Sequence, residues 1–300
     1  MWQQLLQQVM RGDIKSLARC ISIIENEVTG YEELLQQLPA NNTAKIIGIT
    51  GAPGSGKSTL TDALIGSLIN DKKKIGVLCV DPSSPFNLGA LLGDRIRMSE
   101  WYNNPNIFIR SLASRGALGG LNPKIIEITD VMKTAGFDLI IIETVGVGQS
   151  EIEIAGLADT TVVMLVPGSG DEVQIMKAGL MEIADIFAVN KSDYPGAEMF
   201  VKNLLSMLAP VYSQSTHEIP IVKTIASEKK GIDELKEKIL QHLVLENSEK
   251  KYWLLAEKAY QLIQNNKMKA VDKKILQEEI MNSDPGKFNL YAFIKTFDIL

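Results

Sequence analysis

Thiols are nearly missing from this chain: Cys20 and Cys79 are all that 300 residues contain. Each lies inside an apolar periodic segment, which argues against a disulfide framework, suits a reducing compartment and sets a cytoplasmic protein as the expectation. Histidine is as scarce, with only His217 and His242. Scattered along the chain, these four residues do not form the Cys/His cluster of a soft-metal centre. Excess positive charge is missing too, since the net charge is −5 and the pI about 5.3. No global basic field exists to hold a phosphate backbone, and nucleic acid is not expected as a partner. The lysine runs Lys72–Lys74 and Lys229–Lys230 are short and abut apolar stretches, so they read as solvated loops. No segment reaches the ~18 consecutive apolar residues of a membrane span. The glutamine-rich start, Met1 to Met10, has no basic stretch followed by an apolar run, so neither export nor membrane insertion is expected. Internal repeats and low-complexity tracts are also missing, which leaves a solenoid without support.

What the sequence does contain is an α/β pattern. From Trp2 to Leu38 apolar residues recur at helical spacing, with Asp13 placed as an N-cap after Gly12. Short β-rich runs follow at residues 45–50, 75–80, 106–110, 138–143, 161–166, 185–190 and 219–224. They are nearly unalternating, as strands buried on both faces are, and helical patterns such as Thr59 to Asn70 and Pro123 to Ala135 separate most of them. The expectation is a doubly wound, mostly parallel sheet of the P-loop NTPase type with helical extensions at both ends. The boundaries read as 1–44 for the N-terminal extension, 45–245 for the sheet domain and 246–300 for a C-terminal helical segment.

Between the first strand and the next helix lies Gly51-Ala52-Pro53-Gly54-Ser55-Gly56-Lys57-Ser58-Thr59, which contains G-x-x-x-x-G-K-[ST]. Glycines at these positions let successive main-chain N–H groups converge on a phosphate, the helix N-terminus adds its positive dipole end, and Lys57 supplies a mobile charge. Ser58 is expected to ligate magnesium. The glycine spacing does not form G-x-G-x-x-G, so a dinucleotide fingerprint is excluded.

At the end of the run 185–190 stands Asn190-Lys191-Ser192-Asp193, an N-K-x-D arrangement. A carboxylate at Asp193 can accept from both the ring N–H and the exocyclic amine of guanine, whereas adenine would turn a lone pair toward it. A site built to pair such groups can reject the wrong base by ~10⁴-fold or more. Lys191 is expected to cover the base and Asn190 to tie this loop to the phosphate loop. A third base contact is assigned to the main-chain N–H of Ala226. The bound species are therefore GTP and GDP with magnesium.

Four acids are candidates for the metal and switch roles: Asp81, Asp94, Glu143 and Asp171. Gly146 is placed to offer its N–H to the γ-phosphate. The next residue, Val147, cannot orient water, so intrinsic hydrolysis is expected to be slow until a partner or another loop completes the site. Gln149 is not assigned that task. Lys177, Arg95, Arg97 and Arg115 stay open between a nucleotide contact, a partner contact and a solvated surface.

These strings together resemble the MeaB/ArgK/MMAA GTPases of the SIMIBI class of P-loop proteins. The likeness runs through GDIKSLARCISIIE, GITGAPGSGKSTL, VDPSSPF, GDRIRM, ETVGVGQSE, PGSGDEVQ, NKSD and GIDEL, over roughly residues 12 to 240. The resemblance implies GTP hydrolysis and a homodimer. It also implies a chaperone role toward an adenosylcobalamin-dependent acyl-CoA mutase, usually methylmalonyl-CoA mutase, with nucleotide state gating cofactor loading and protection. Matched position by position, the phosphate, magnesium and switch roles fall on Lys57, Ser58, Asp81, Asp94 and Glu143, with Lys177 in a third switch loop. The C-terminal segment matches less closely and is expected to carry the dimer contacts. Rival readings are an ArgK-type kinase acting on a periplasmic amino-acid-binding protein, a nickel-insertion GTPase and a nucleotide-sensing scaffold without turnover.

Overall fold

The computed structural model describes residues 2–39, 43–81, 98–115, 121–146, 150–168, 180–212, 218–245, 248–268, 271–284 and 288–296. Two compact units divide the chain, Met1–Glu246 and Asn247–Leu300.

In the first unit, helices α1 (Trp2–Met10), α2 (Ile14–Glu25) and α3 (Tyr31–Gln36) precede strand β1 (Lys45–Gly51) and helix α4 (Lys57–Ile69). Strands β2 (Ile75–Asp81) and β3 (Ile107–Ala113), helix α5 (Ile125–Lys133), strand β4 (Leu139–Glu143) and helix α6 (Ser150–Ala155) come next. The unit closes with β5 (Thr160–Leu165), α7 (Leu180–Ile183), β6 (Ile186–Val189), α8 (Ala197–Tyr212), β7 (Ile221–Lys223) and α9 (Ile232–Val244). All seven strands are parallel, in the order β3-β2-β4-β1-β5-β6-β7. Each coincides with one of the runs read from the sequence. β3 continues past Arg110, where the run read from the sequence ended, and that guanidinium donates to Glu25 Oε2 at 3.1 Å and to Ser22 Oγ at 3.2 Å.

Alternation along the strands divides the core. Ile47, Ile49, Val162, Met164, Ile186 and Ala188 pack with Leu60, Leu64 and Leu68 of α4 and Leu235 and Ile239 of α9. Their neighbours Val163, Leu165, Phe187 and Val189 face Phe200, Leu204 and Leu208 of α8 on the other side. Complete burial of each such side chain is worth about 1.5–3 kcal/mol, which is why a strand with no polar face stays in place.

The N-terminal helices form a further layer through α2, which lies on α5. Asp13 caps α2 by accepting the Ser16 N–H at 2.9 Å, and Leu17, Cys20, Ile21 and Ile24 are fully buried. Ion pairs fix this layer at its rim: Arg115 reaches Asn26 Oδ1 at 3.0 Å and Glu25 at 3.6 Å, and Lys124 reaches Glu27 at 2.6 Å. Burial opposes the Lys124 charge, but its bonds to Glu27 and Tyr31 and the nearby Glu127 carboxylate outweigh it, so the pKa is raised. Arg115, left open by the sequence, thus serves as a tie to α2.

Burial also pushes the Cys20 thiol from its ordinary 9.0 up to about 11. At pH 8 the native thiolate is scarce, ~10⁻³ of the whole, and no reagent reaches it. Iodoacetamide at that pH is expected to spare Cys20 until guanidinium unfolds the layer, as peptide mass spectrometry would register; prompt labelling of native protein would contradict this packing.

The second unit contains α10 (Ser248–Met268), α11 (Lys273–Asn282) and α12 (Leu290–Ile294). Asp272 and Asn289 cap α11 and α12 by accepting Lys274 N–H at 2.8 Å and Ala292 N–H at 3.0 Å. Among the described residues no helix is long and apolar enough to cross a membrane.

Candidate functional site

The carboxyl ends of β1, β2, β4, β5 and β6 open on one edge of the sheet, where ligands bind in open α/β folds. β1 is central, flanked by β4 and β5, and leads directly into the glycine loop. At its end Gly51 takes φ +144, and a Cβ there would strike the Met164 carbonyl, so only glycine lets the chain leave the sheet at this point. Gly56, at φ +94, is the N-cap of α4, and Lys57 is its first residue. The Lys57 ammonium donates to Gly51 O at 2.9 Å and Ala52 O at 3.1 Å, curling back over the loop. Pro53 and Gly54 form its exposed crest, Ser55 is buried and Thr59 half-buried.

Beside this loop the three described metal candidates are buried. Ser58 Oγ donates to Glu143 Oε1 at 2.6 Å, and Asp81 and Glu143 are 2% and 3% exposed at the ends of β2 and β4. One hydroxyl and two carboxylates make an all-oxygen donor set. That set fits Mg²⁺, which takes one or two carboxylates beside substrate phosphates and keeps several waters. Among the described residues no group of three His, Cys, Asp or Glu could hold an ion by itself. Gly146, at φ +83, lies directly against the loop: a Cβ there would meet Gly51 O and Lys57 Nζ. Asp94, Asp171, Lys177, Arg95, Arg97, Val147 and Gln149 lie outside the described residues.

The N-K-x-D turn is bonded to the phosphate loop. Asn190 Nδ2 donates to Ser55 O at 2.8 Å, and Lys191 Nζ donates to Gly54 O at 3.0 Å. Gly56 is what allows this approach, because a Cβ at that residue would lie 2.6 Å from Asn190 Nδ2. Asp193 is exposed at the mouth of the turn. The Ala226 N–H, expected to contact the base, donates in this structure to Asn190 Oδ1 at 3.0 Å and braces the asparagine. Thr224 adds a second brace by donating its hydroxyl to the same oxygen at 3.2 Å. Together they fix the orientation of the Asn190 amide.

Three features escaped the sequence reading. Thr224 is one. Another is the Trp101 indole N–H, which donates to Asp62 Oδ1 of α4 at 2.7 Å and pins the turn that begins at the buried Met98. The third is a buried contact between the Thr50 and Thr144 hydroxyls at 3.0 Å. Thr50 and Thr144 each stand as a polar residue beside an apolar run, but which group each meets depends on the β1–β4 register.

A parallel sheet with this loop and this turn at its carboxyl edge defines the P-loop GTPases, and the chain is one of them. More particularly, it belongs to the MeaB family: the sequence profile described as "Methylmalonyl Co-A mutase-associated GTPase MeaB" matches residues 17–282. A protein of Pyrococcus abyssi (strain GE5 / Orsay), named as a GTPase, is 46% identical over 246 residues, spanning 81% of this chain and 76% of its own length. The fused isobutyryl-CoA mutase of Geobacillus kaustophilus (strain HTA426) is 35% identical over 237 residues, 74% of this chain and 22% of that protein. The crystal structure of a LAO/AO transport system kinase shares the fold, with a TM-score of 0.66 at 23% identity over 99% of this chain and 96% of that one.

Proposed function

We propose that this GTPase uses its nucleotide state to gate adenosylcobalamin loading and protection of an acyl-CoA mutase, methylmalonyl-CoA mutase or a relative. The observation that carries the nucleotide part is the pair of bonds from Asn190 and Lys191 to Ser55 O and Gly54 O. They hold a base-reading turn and a phosphate loop as one body, so a single ligand with both a purine and a phosphate chain fits. The mutase part draws support from the MeaB description and from a relative in which a comparable segment is fused to a mutase.

In this reading the loop 51–58 receives the β- and γ-phosphates on its main-chain N–H groups, and Lys57 exchanges its two carbonyl bonds for phosphate oxygens. Ser58, Asp81 and Glu143, with Asp94, are assigned to hold magnesium. Bound there, the ion neutralises charge on the transferring phosphoryl group. Gly146 offers its N–H to the γ-phosphate, Lys177 belongs to a third switch loop, Asp193 reads guanine, and Lys191 covers the base. A ligand shifts an equilibrium only by its differential affinity, so gating requires the GTP and GDP forms to bind the mutase unequally. The second unit is assigned to homodimer contacts, in keeping with the large exposed apolar side chains Tyr252, Trp253, Tyr260 and Tyr291. A cytoplasmic location completes the reading.

Nickel insertion draws less support. Cys20 and Cys79 are both buried, and the His242 ring is occupied by Thr160 Oγ1 at 2.8 Å and Asp185 Oδ1 at 3.3 Å. The decisive experiment is a pull-down from native lysate with the protein loaded with a non-hydrolysable GTP analogue or with GDP. Recovery of a cobalamin-dependent mutase is expected to differ several-fold between the two states; equal recovery, or none, would remove the chaperone role and leave the GTPase.

A further inference from the structure

We propose that Thr50 and Thr144 form a hydroxyl clasp that positions Gly146 over the phosphate loop, and thereby sets the preference for a nucleoside triphosphate over a diphosphate. The inference rests on the nucleotide site proposed above and names two positioning residues for it.

The β1–β4 ladder runs in register from Lys45↔Leu139 to Ile49↔Glu143. One more main-chain bond, from the Thr144 N–H to Ile49 O at 3.1 Å, carries it a step further. Beyond that point Gly51 pairs only on the opposite side, with Met164 of β5. Among the described residues, the hydrogen bond that next joins β1 to the chain leading to Gly146 is a side-chain one, the 3.0 Å contact between the Thr50 and Thr144 hydroxyls.

Both threonines are buried, at 0% and 2% exposure. Two valines would fill nearly the same volume without hydroxyls to desolvate, so packing alone does not call for threonine here. What a hydroxyl pair adds is direction, because a hydrogen bond weakens steeply as its distance and angle depart from optimum. Two residues further on, Gly146 packs against Gly51 O and Lys57 Nζ. Two residues span at most about 7 Å of chain, so a displacement at Thr144 passes directly to Gly146. In the site proposed above, only the γ-phosphate is assigned a donor on this turn, the Gly146 N–H, while the β-phosphate is assigned to the loop 51–58. Loosening the clasp should thus weaken the grip on the γ-phosphate and spare the rest.

The test measures Kd for Mg²⁺–GDP and for the Mg²⁺ complex of a β,γ-imido GTP analogue, together with kcat and KM for phosphate release. The proteins are wild type, Thr144→Val, Thr144→Ser, Thr50→Val and the double variant Thr50→Val/Thr144→Val. Each single valine leaves a buried hydroxyl without its partner and is expected to lower analogue affinity relative to GDP by ~5- to 20-fold. Thr144→Ser keeps the hydroxyl and should hold the ratio within about twofold of wild type. The double variant removes both hydroxyls, so it is expected to recover the melting temperature lost by the single variants while keeping the altered ratio. A purely structural role predicts that ratio and melting temperature recover together; that result, or an unchanged ratio in Thr144→Val, overturns the clasp. Failure of the wild-type protein to bind either nucleotide would instead overturn the underlying site, and the clasp with it.

Discussion

Replacing Asp193 by asparagine is expected to cut the affinity for GTP and GDP by ~10³-fold or more and to raise that for xanthosine nucleotides. Guanine presents two donors on one edge, the ring N–H and the exocyclic amine, and a carboxylate accepts both. An asparagine amide offers one acceptor and one donor, so its N–H₂ group would oppose the guanine amine. Xanthine keeps the ring N–H and carries a carbonyl in place of the amine, which the amide matches. A site whose polar groups are left unpaired by the wrong base discriminates by ~10⁴- to 10⁵-fold, and a thousandfold loss corresponds to about 4 kcal/mol. Asp193 is exposed at the tip of its turn and Asn190 holds that turn from the other end, so the substitution should leave the fold intact. Calorimetry with GDP, ADP and XDP would decide it; unchanged GDP binding would mean that this carboxylate does not read the base.

Lys57→Ala should depress the hydrolysis rate by ~10²- to 10³-fold or more, the loss typical of removing one preorganised donor from developing negative charge. In the structure the ammonium bonds Gly51 O and Ala52 O, so the variant also loses two struts across the loop. Their loss costs about 1.5–3 kcal/mol per charged hydrogen bond at most, and the two carbonyls can turn to water. A thermal melt near that of wild type together with lost turnover would assign the effect to catalysis. Retention of full turnover would remove Lys57 from the mechanism.

Most of the architecture was legible because a parallel sheet covered on both faces writes its strands as uninterrupted apolar runs. Helices and glycine turns then separate them in the order the fold requires. The phosphate loop and the N-K-x-D turn were legible for a different reason: their chemistry fixes residue types at fixed local spacing. What sequence could not supply was contact across distance. Gly56 appears in the loop motif as a flexible residue, yet its second task is to leave room for Asn190, far along the chain. The turn pattern assigns Ala226 to the base, and its additional contact, the N–H donated to Asn190 Oδ1, shows only in the fold. Arg115 stayed ambiguous because its partners, Glu25 and Asn26, belong to a helix that precedes the sheet. The Thr50–Thr144 contact was invisible until the strands were in register.

The placement of β1 has a consequence for how this chain acquires its activity on the ribosome. The strand that carries the glycine loop emerges early, but its two neighbours are β4, beginning at Leu139, and β5, beginning at Thr160. Until both have been synthesised the loop has no rigid base, and Gly51 lacks Met164 beside it. At ~5–20 residues per second, translation imposes a wait of several seconds between the two events. Nascent chains cut short before β5 should therefore remain unable to hold nucleotide, and their long apolar strands exposed to chaperones, whatever the quality of the loop they already contain.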